Sequence, residues 1–178
     1  MIKLSTGEHH ITLSASGKDY IDVEVIALTP GVFVNAENGE DVVITEQHIQ
    51  ALHDTYNARV DGERNKFGRK LKRIAHIKDD VLMAPVIEKP LPKAEDLTVA
   101  PVHQDHIVAQ STMLGRILGY VKLARDDNSM LCLLATLRVM GADNVSKVNL
   151  GALRAVSLGF NLEPDYTISE ISFVPYGA

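Results

Sequence analysis

A serine hydroxyl does chemistry when a neighbouring base takes its proton, and the run RAVSLGF at 154–160 sets Ser157 between small residues, with room for a substrate chain beside it. Read as a strand, 153–162 puts Val156, Leu158, Phe160 and Leu162 on one face and Ala155, Ser157, Gly159 and Asn161 on the other. The later run TISEISFVP puts Ile171 and Phe173 on one face, and Glu170 and Ser172 on the other together with Ile168 and Val174. If the two strands are neighbours, Glu170 shares the side of Ser157. The base is most often a histidine oriented by a third group, and APVHQDH offers His103 and His106. The plain alternative is an exposed serine and an exposed glutamate on the wet face of a sheet.

Other chemistries find less support. The H-x-x-H spacing of His103 and His106 suggests a metal, but a zinc site needs three or four ligands and the remaining histidines, including His9, His10 and His76, are scattered. No metal is therefore expected. There is no G-x-S-x-G elbow, phosphate-binding P-loop, G-x-G-x-x-G fingerprint or C-x-x-C pair, which sets aside α/β-hydrolases, P-loop enzymes and Rossmann domains.

The elements that must hold these residues are mostly strands. IDVEVIAL at 21–28 reads as a strand ending at TPG, followed by a loop, NAENGED. TEQHIQALHDTYNARV reads as a helix, with Thr45 as its N-cap and Ile49, Leu52 and Tyr56 at helical spacing. Two prolines in VIEKPLPKAED make 85–96 an extended connection. LTVAPVH, GRILGYVKLA, SMLCLLATLRVM, LRAVSLGFNL and TISEISFVP then read as strands. ADNVSKVNLGALR reads as a second helix capped by Asp143 or Asn144, with Val145, Val148 and Leu153 facing inward. The expected class is mostly β with a few helices (α+β), and closure into a barrel is one way such strands lose their exposed edges.

The 178 residues suit one domain. The single cysteine, Cys132 in an apolar run, reads as a small buried hydrophobe in a reducing compartment. MIKLSTGEHHITLSAS lacks the apolar core of a signal peptide, and no stretch approaches 18 apolar residues, so neither export by that route nor a membrane span is expected. A net charge of -5 and a pI near 5.8 disfavour wholesale nucleic-acid binding. The charge is nonetheless polarised: Arg59, Arg64, Lys66, Arg69, Lys70, Lys72, Arg73 and Lys78 are eight of the 18 basic residues. The segment 59–96 is accordingly expected to be a basic, proline-containing loop or arm, with 59–78 a docking surface for an acidic partner as the sharper reading.

Taken in order, these segments resemble the prohead (capsid maturation) proteases of tailed phages, related in fold to the herpesvirus assemblins. APVHQDH is similar to the strand that presents the family's histidine, LGRILGYVKL and MLCLLATL to the two strands that follow, LRAVSLGF to the nucleophile strand, and ISEISFVPYGA to the stretch that closes the protease domain. The likeness spans about 97–178, with a looser one at VVITEQHIQALHDTYN. It implies an assemblin-like closed β-barrel core surrounded by helices, and a serine endopeptidase that cleaves the phage scaffold protein, the major capsid protein and itself. Such an enzyme works in the host cytoplasm, inside the assembling procapsid, without a cofactor and with self-association in some relatives.

By position the resemblance makes Ser157 the nucleophile and His106, rather than His103, the general base. Glu170 is the third member, with Asp41 as the alternative. Gly159 and GRILG are candidate sources of approach space or oxyanion donors, and Arg116 and Arg154 candidate orienting charges. Relatives run on into a scaffold-like tail where this chain reaches Ala178, so Ala178 is expected near a self-cleavage boundary. The rival from another class is a non-catalytic β-barrel module that binds scaffold or capsid through 59–78.

Overall fold

The computed structural model describes residues 2–8, 12–17, 19–35, 38–79, 91–97, 99–104, 113–153 and 155–174, with side chains from Gly17 onward outside 67–79. The chain is mixed α+β, mostly strand with two helices. In chain order the elements are β1 (Ile2–Glu8), β2 (Thr12–Ser16), β3 (Tyr20–Leu28), β4 (Gly31–Val34), β5 (Asp41–Ile44), α1 (Glu46–Asp79), a 3-10 turn (Ala94–Asp96), β6 (Pro101–Gln104), β7 (Met113–Ile117), β8 (Lys122–Arg125), β9 (Leu131–Met140), α2 (Ala142–Asn149), β10 (Ala155–Asn161) and β11 (Thr167–Val174). β4 and β5 form a separate two-stranded ribbon around the expected NAENGED loop.

The other strands make one sheet in the order β1-β10-β11-β6-β7-β9-β3-β2. β7 and β8 lie one after the other along the same edge of β9, so the run GRILGYVKLA is two strands rather than one. The break falls at Gly119, whose φ of +63° is one that side-chain-bearing residues rarely adopt. The sheet curls: β3 comes back against β10, although four strands lie between them in the sheet order.

The expected closed barrel is corrected here to a half-barrel, because no ladder joins β3 to β10 among the described residues. The reason lies in the first sixteen residues, which the sequence reading left unassigned. β1 pairs with the free edge of β10 and β2 with the free edge of β3. The two strands that would have to meet at the seam are thus each already paired.

Alternate residues of these strands fill the inside of the curl. Ile21, Val23 and Val25 of β3, Leu137 and Val139 of β9, Ile117 of β7, Val102 of β6, Ile171 and Phe173 of β11, and Val156, Leu158 and Phe160 of β10 belong to one buried cluster. α1 packs on the same core through Ile49, Leu52, Tyr56 and Val60, spaced three, four and four residues apart. Its start is as expected: Thr45 Oγ1 accepts from the His48 amide at 3.3 Å, and His48 Nδ1 accepts from the Thr45 amide at 3.4 Å, a reciprocal cap.

The helix then runs well past the sixteen residues read from sequence. Its 34 residues span about 51 Å at 1.5 Å per residue. The expectation of a loop or arm over 59–96 is therefore corrected as far as Asp79, which is helical. Arg59 and Arg64 turn back onto the body: Arg59 Nη1 donates to the Ile168 carbonyl at 3.4 Å and Arg64 Nε to the Pro92 carbonyl at 3.1 Å.

α2 forms where expected, with Val145 and Val148 packed against the core and Leu153 buried just beyond it. Its cap differs, because Gly141 at φ +91° holds the N-cap position without a side-chain bond. Asn144 instead donates to the Met140 carbonyl at 2.9 Å. Cys132 is buried, its thiol pushed up by burial, and donates to the Ala124 carbonyl at 3.4 Å.

Candidate active site

The second face of the large sheet carries the remaining alternate residues, and its middle is polar. Register puts Ser157 of β10 opposite Ser172 of β11, and Ser172 in turn opposite His103 of β6. One pair further along, Gly159 faces Glu170. On the far side, Pro101 is level with Arg116 of β7, Arg116 with Arg138 of β9, and Arg138 with Asp22 of β3. The expected side for Glu170 is thus observed: alternation and direct strand pairing bring it to the face of Ser157.

This face is not wet. Relative exposure is 1% at Ser157 and Glu170, 0% at Ser172 and 4% at His103, so the reading of an exposed serine and glutamate is overturned. Burying polar groups is costly unless they are paired, and much of the pairing is visible. Ser172 Oγ donates to Glu170 Oε2 at 2.8 Å. Arg138 grips Asp22 with two parallel bonds of 2.8 and 2.7 Å and lies 4.4 Å from the centre of the Tyr20 ring. The bond from Asp22 holds the Arg138 guanidinium protonated above its ordinary range.

Glycine and an irregular register shape the acid's position. A Cβ on Gly159 would lie 2.7 Å from Glu170 Cγ and 3.0 Å from Oε1, so the Glu170 side chain occupies space that only glycine leaves at 159. The pairing then slips from Gly159 with Glu170 to Phe160 with Ile168, which makes Ser169 an extra residue in β11. The bulge turns Ile168 onto the core face with Phe160. The expectation that Ile168 shares the side of Glu170 is corrected accordingly, because strict alternation fails at Ser169.

His103 is an exception to the pairing on this face, as the Tyr56 hydroxyl of α1 is in the core. Its ring is buried, yet neither Nδ1 nor Nε2 has a hydrogen-bond partner among the described residues. A buried polar group left without a partner costs about 1–3 kcal/mol. Such a group calls for an explanation, and a catalytic role is one of the few available. Ser157 and His103 are two strand spacings apart, about 10 Å between backbones at 4.8 Å per step, with only the small Ser172 side chain between them.

The other candidates divide as follows. His106 and Arg154 lie outside the described residues. Asp41, the alternative acid, opens β5 in the separate ribbon and is exposed, so it is not brought to the Ser157 face. Arg116 is on that face, with Nη1 donating to the Asp96 carbonyl at 3.3 Å. Gly115, in GRILG, serves strand packing: a Cβ there would fall on the Arg138 carbonyl oxygen of β9. Among the described residues, no three His, Cys, Asp or Glu side chains gather as metal ligands.

Sequence reasoning set Ser172 on the side of Glu170 without giving it a role, and passed over the Asp22–Arg138 pair. Ser172 had a legible signal, since Glu-x-Ser in a strand puts the carboxylate and the hydroxyl on one face. The Asp22–Arg138 pair, 116 residues apart, had none. No protein-family model, curated protein or solved structure matches the chain.

Proposed function

We propose that the protein is a serine endopeptidase of the prohead-maturation kind, in which Ser157 is the nucleophile. A histidine of the β6 segment is the base and Glu170 the acid. The observation that carries the reading is the buried His103 ring without a described partner, on the same closed polar face as Ser157. On that ground His103 takes precedence over His106 as the base, reversing the order that segment resemblance alone suggests. The substrates, by resemblance, are scaffold protein, major capsid protein and the chain itself, within a procapsid in the host cytoplasm. The assemblin-like core belongs to the same proposal, and its support is the adjacency of the serine, acid and histidine strands β10, β11 and β6.

In this mechanism the histidine takes the Ser157 proton as Oγ attacks the peptide carbonyl carbon, and backbone amides stabilise the oxyanion. Collapse expels the amine, which leaves with the proton from the imidazolium, and water then releases the acyl group by the reverse sequence. At 1% exposure Ser157 is closed to a polypeptide in the resting state, so an opening step precedes catalysis. An enzyme packaged together with its substrates gains from such latency.

The test is intact mass after incubation with a serine-reactive phosphonate, for wild type and Ser157→Ala, with processing of co-expressed scaffold measured alongside. One adduct and scaffold cleavage in wild type, both lost in Ser157→Ala, is the expected result. Cleavage that persists unchanged in Ser157→Ala removes Ser157 from the role.

The binding-module reading keeps one observation in its favour. Arg59 and Arg64 bond to the body and Lys66 pairs with Glu63 at 2.8 Å; beyond them the sequence sets Arg69 and Lys70 four and three residues before Arg73 along α1, a spacing that suits a basic strip for an acidic partner. It is compatible with catalysis, since a packaged protease also needs a docking surface.

A further inference from the structure

Resting on the serine-endopeptidase reading of this face, we propose that Ser172 is a positioning residue through which Glu170 acts on His103. The acid would then reach the base by way of a hydroxyl rather than by touching the ring. Register is the first ground. Ser172 is level with both Ser157 and His103, whereas Glu170 lies two residues back along β11 and is level with Gly159. Two residues along a strand and one strand across put the Glu170 and His103 backbones about 8 Å apart on a diagonal.

The second ground is the direction of the Ser172 bond. Its hydroxyl proton is given to Glu170 Oε2 at 2.8 Å, so the oxygen has only acceptor capacity left to offer its neighbours. An acceptor facing an imidazole selects the tautomer with N–H on that side and leaves the other nitrogen basic. The carboxylate polarises the hydroxyl it binds, which makes the Ser172 oxygen a better acceptor for an imidazolium. With Ser172 fully buried, water does not compete for that oxygen.

The third ground is the shape of the acid's pocket. Glu170 occupies the notch left by Gly159, on the β10 side of β11, while His103 lies on the β6 side. In the resting state neither ring nitrogen has a described partner, so the bond from His103 to Ser172 forms when the ring takes up a proton, in the reaction or in a titration. The proton balance is simple. Ser157 loses its proton to one ring nitrogen, the other nitrogen donates to Ser172, and no proton moves to or from Glu170. Among the described residues, the other charged groups on this face are Arg116 of β7, the Arg138–Asp22 pair of β9 and β3, and Glu24 of β3, and register also sets Lys3 and Glu8 of β1 level with Gly159 and Ala155.

The experiment follows the His103 ring by NMR titration, and the rate of phosphonate labelling of Ser157 against pH, in wild type, Ser172→Ala, Ser172→Thr, Glu170→Gln and the Ala/Gln double variant. Loss of an orienting partner of this kind typically costs about 10–100-fold, which is the drop in labelling rate expected for Ser172→Ala. Losing an acceptor for the charged ring lowers the His103 pKa, so the acid limb of the rate profile moves to lower pH. Ser172→Thr, which keeps the hydroxyl, restores both readouts, and the double variant is no worse than either single one.

A Glu170→Gln variant that alters rate and titration while Ser172→Ala alters neither overturns the proposal, since the acid then acts on the ring directly. Wild type that takes no adduct defeats the endopeptidase reading instead. In that case the titration alone decides the Ser172 link: a matching shift of His103 in Ser172→Ala and Glu170→Gln upholds it, and no shift refutes it.

Discussion

The two faces of the large sheet are built from alternate residues of the same strands, and they spend free energy in opposite ways. On the inside of the curl, β11 contributes Ile171 and Phe173 to a continuous apolar cluster. On the other side the same strand contributes Glu170 and Ser172, just as buried but polar. The first face gains from leaving water, at roughly 25 cal/mol per Å² of apolar surface. The second face loses hydration and recovers it through specific bonds, such as Ser172 to Glu170, and at His103 not even that. Stability alone would have selected apolar residues on both. The difference sets the polar face apart as the one the proposed chemistry would draw on.

The largest effect expected from this comparison lies on the apolar face. Phe173 is fully buried, and Phe173→Ala leaves a cavity between β11 and the strands across the curl. Truncations of this kind cost about 3–5 kcal/mol. Chemical denaturation should show that loss, and a cost below about 1 kcal/mol would mean that the two halves of the curl do not share one core.

A smaller and more informative change is Gly159→Ala. Its Cβ meets Glu170 Cγ at 2.7 Å and Oε1 at 3.0 Å, inside a buried site where neither group has open space to enter. Overpacking of this sort costs about 1–3 kcal/mol. The carboxylate must shift, which lengthens the bond to Ser172, so the loss of Ser157 labelling should exceed what the fraction unfolded explains. A variant with normal labelling would mean that the position of Glu170 is immaterial to the serine.

How far the sequence reached follows the same division. The apolar face was legible because period-two and helical spacing both report burial directly: Val156, Leu158, Phe160, Ile49, Leu52 and Tyr56 are all in the core. Thr45 was legible as a cap because the chemistry of a helix start is local. The polar face was read as to side but not as to burial, since alternation says which way Ser157 points and nothing about what lies over it. β1 and β2 were missed because a short strand at a sheet margin has little apolar patterning of its own, and with them went the reason the barrel does not close. The length of α1 was missed because eight cations read as solvated loop, whereas Lys and Arg are good helix formers and two of them fold back onto the body. The bulge at Ser169 carries no composition signal.

The smallest expected effect has the opposite sign, and it breaks the comparison most cleanly. His103 is buried with both ring nitrogens lacking a described partner, so the folded state pays for dehydrating them and recovers nothing visible in return. His103→Leu removes the polar atoms while keeping a side chain of similar reach, and should raise stability by about 1 kcal/mol or leave it unchanged. The same substitution should abolish labelling of Ser157 by the phosphonate. Stability gained together with reactivity lost would mark the ring as a group retained against the interests of the fold. If His103→Leu instead destabilises by as much as Phe173→Ala, the ring is held by bonds that matter to folding, and the division between a stabilising face and a working face fails at its central residue.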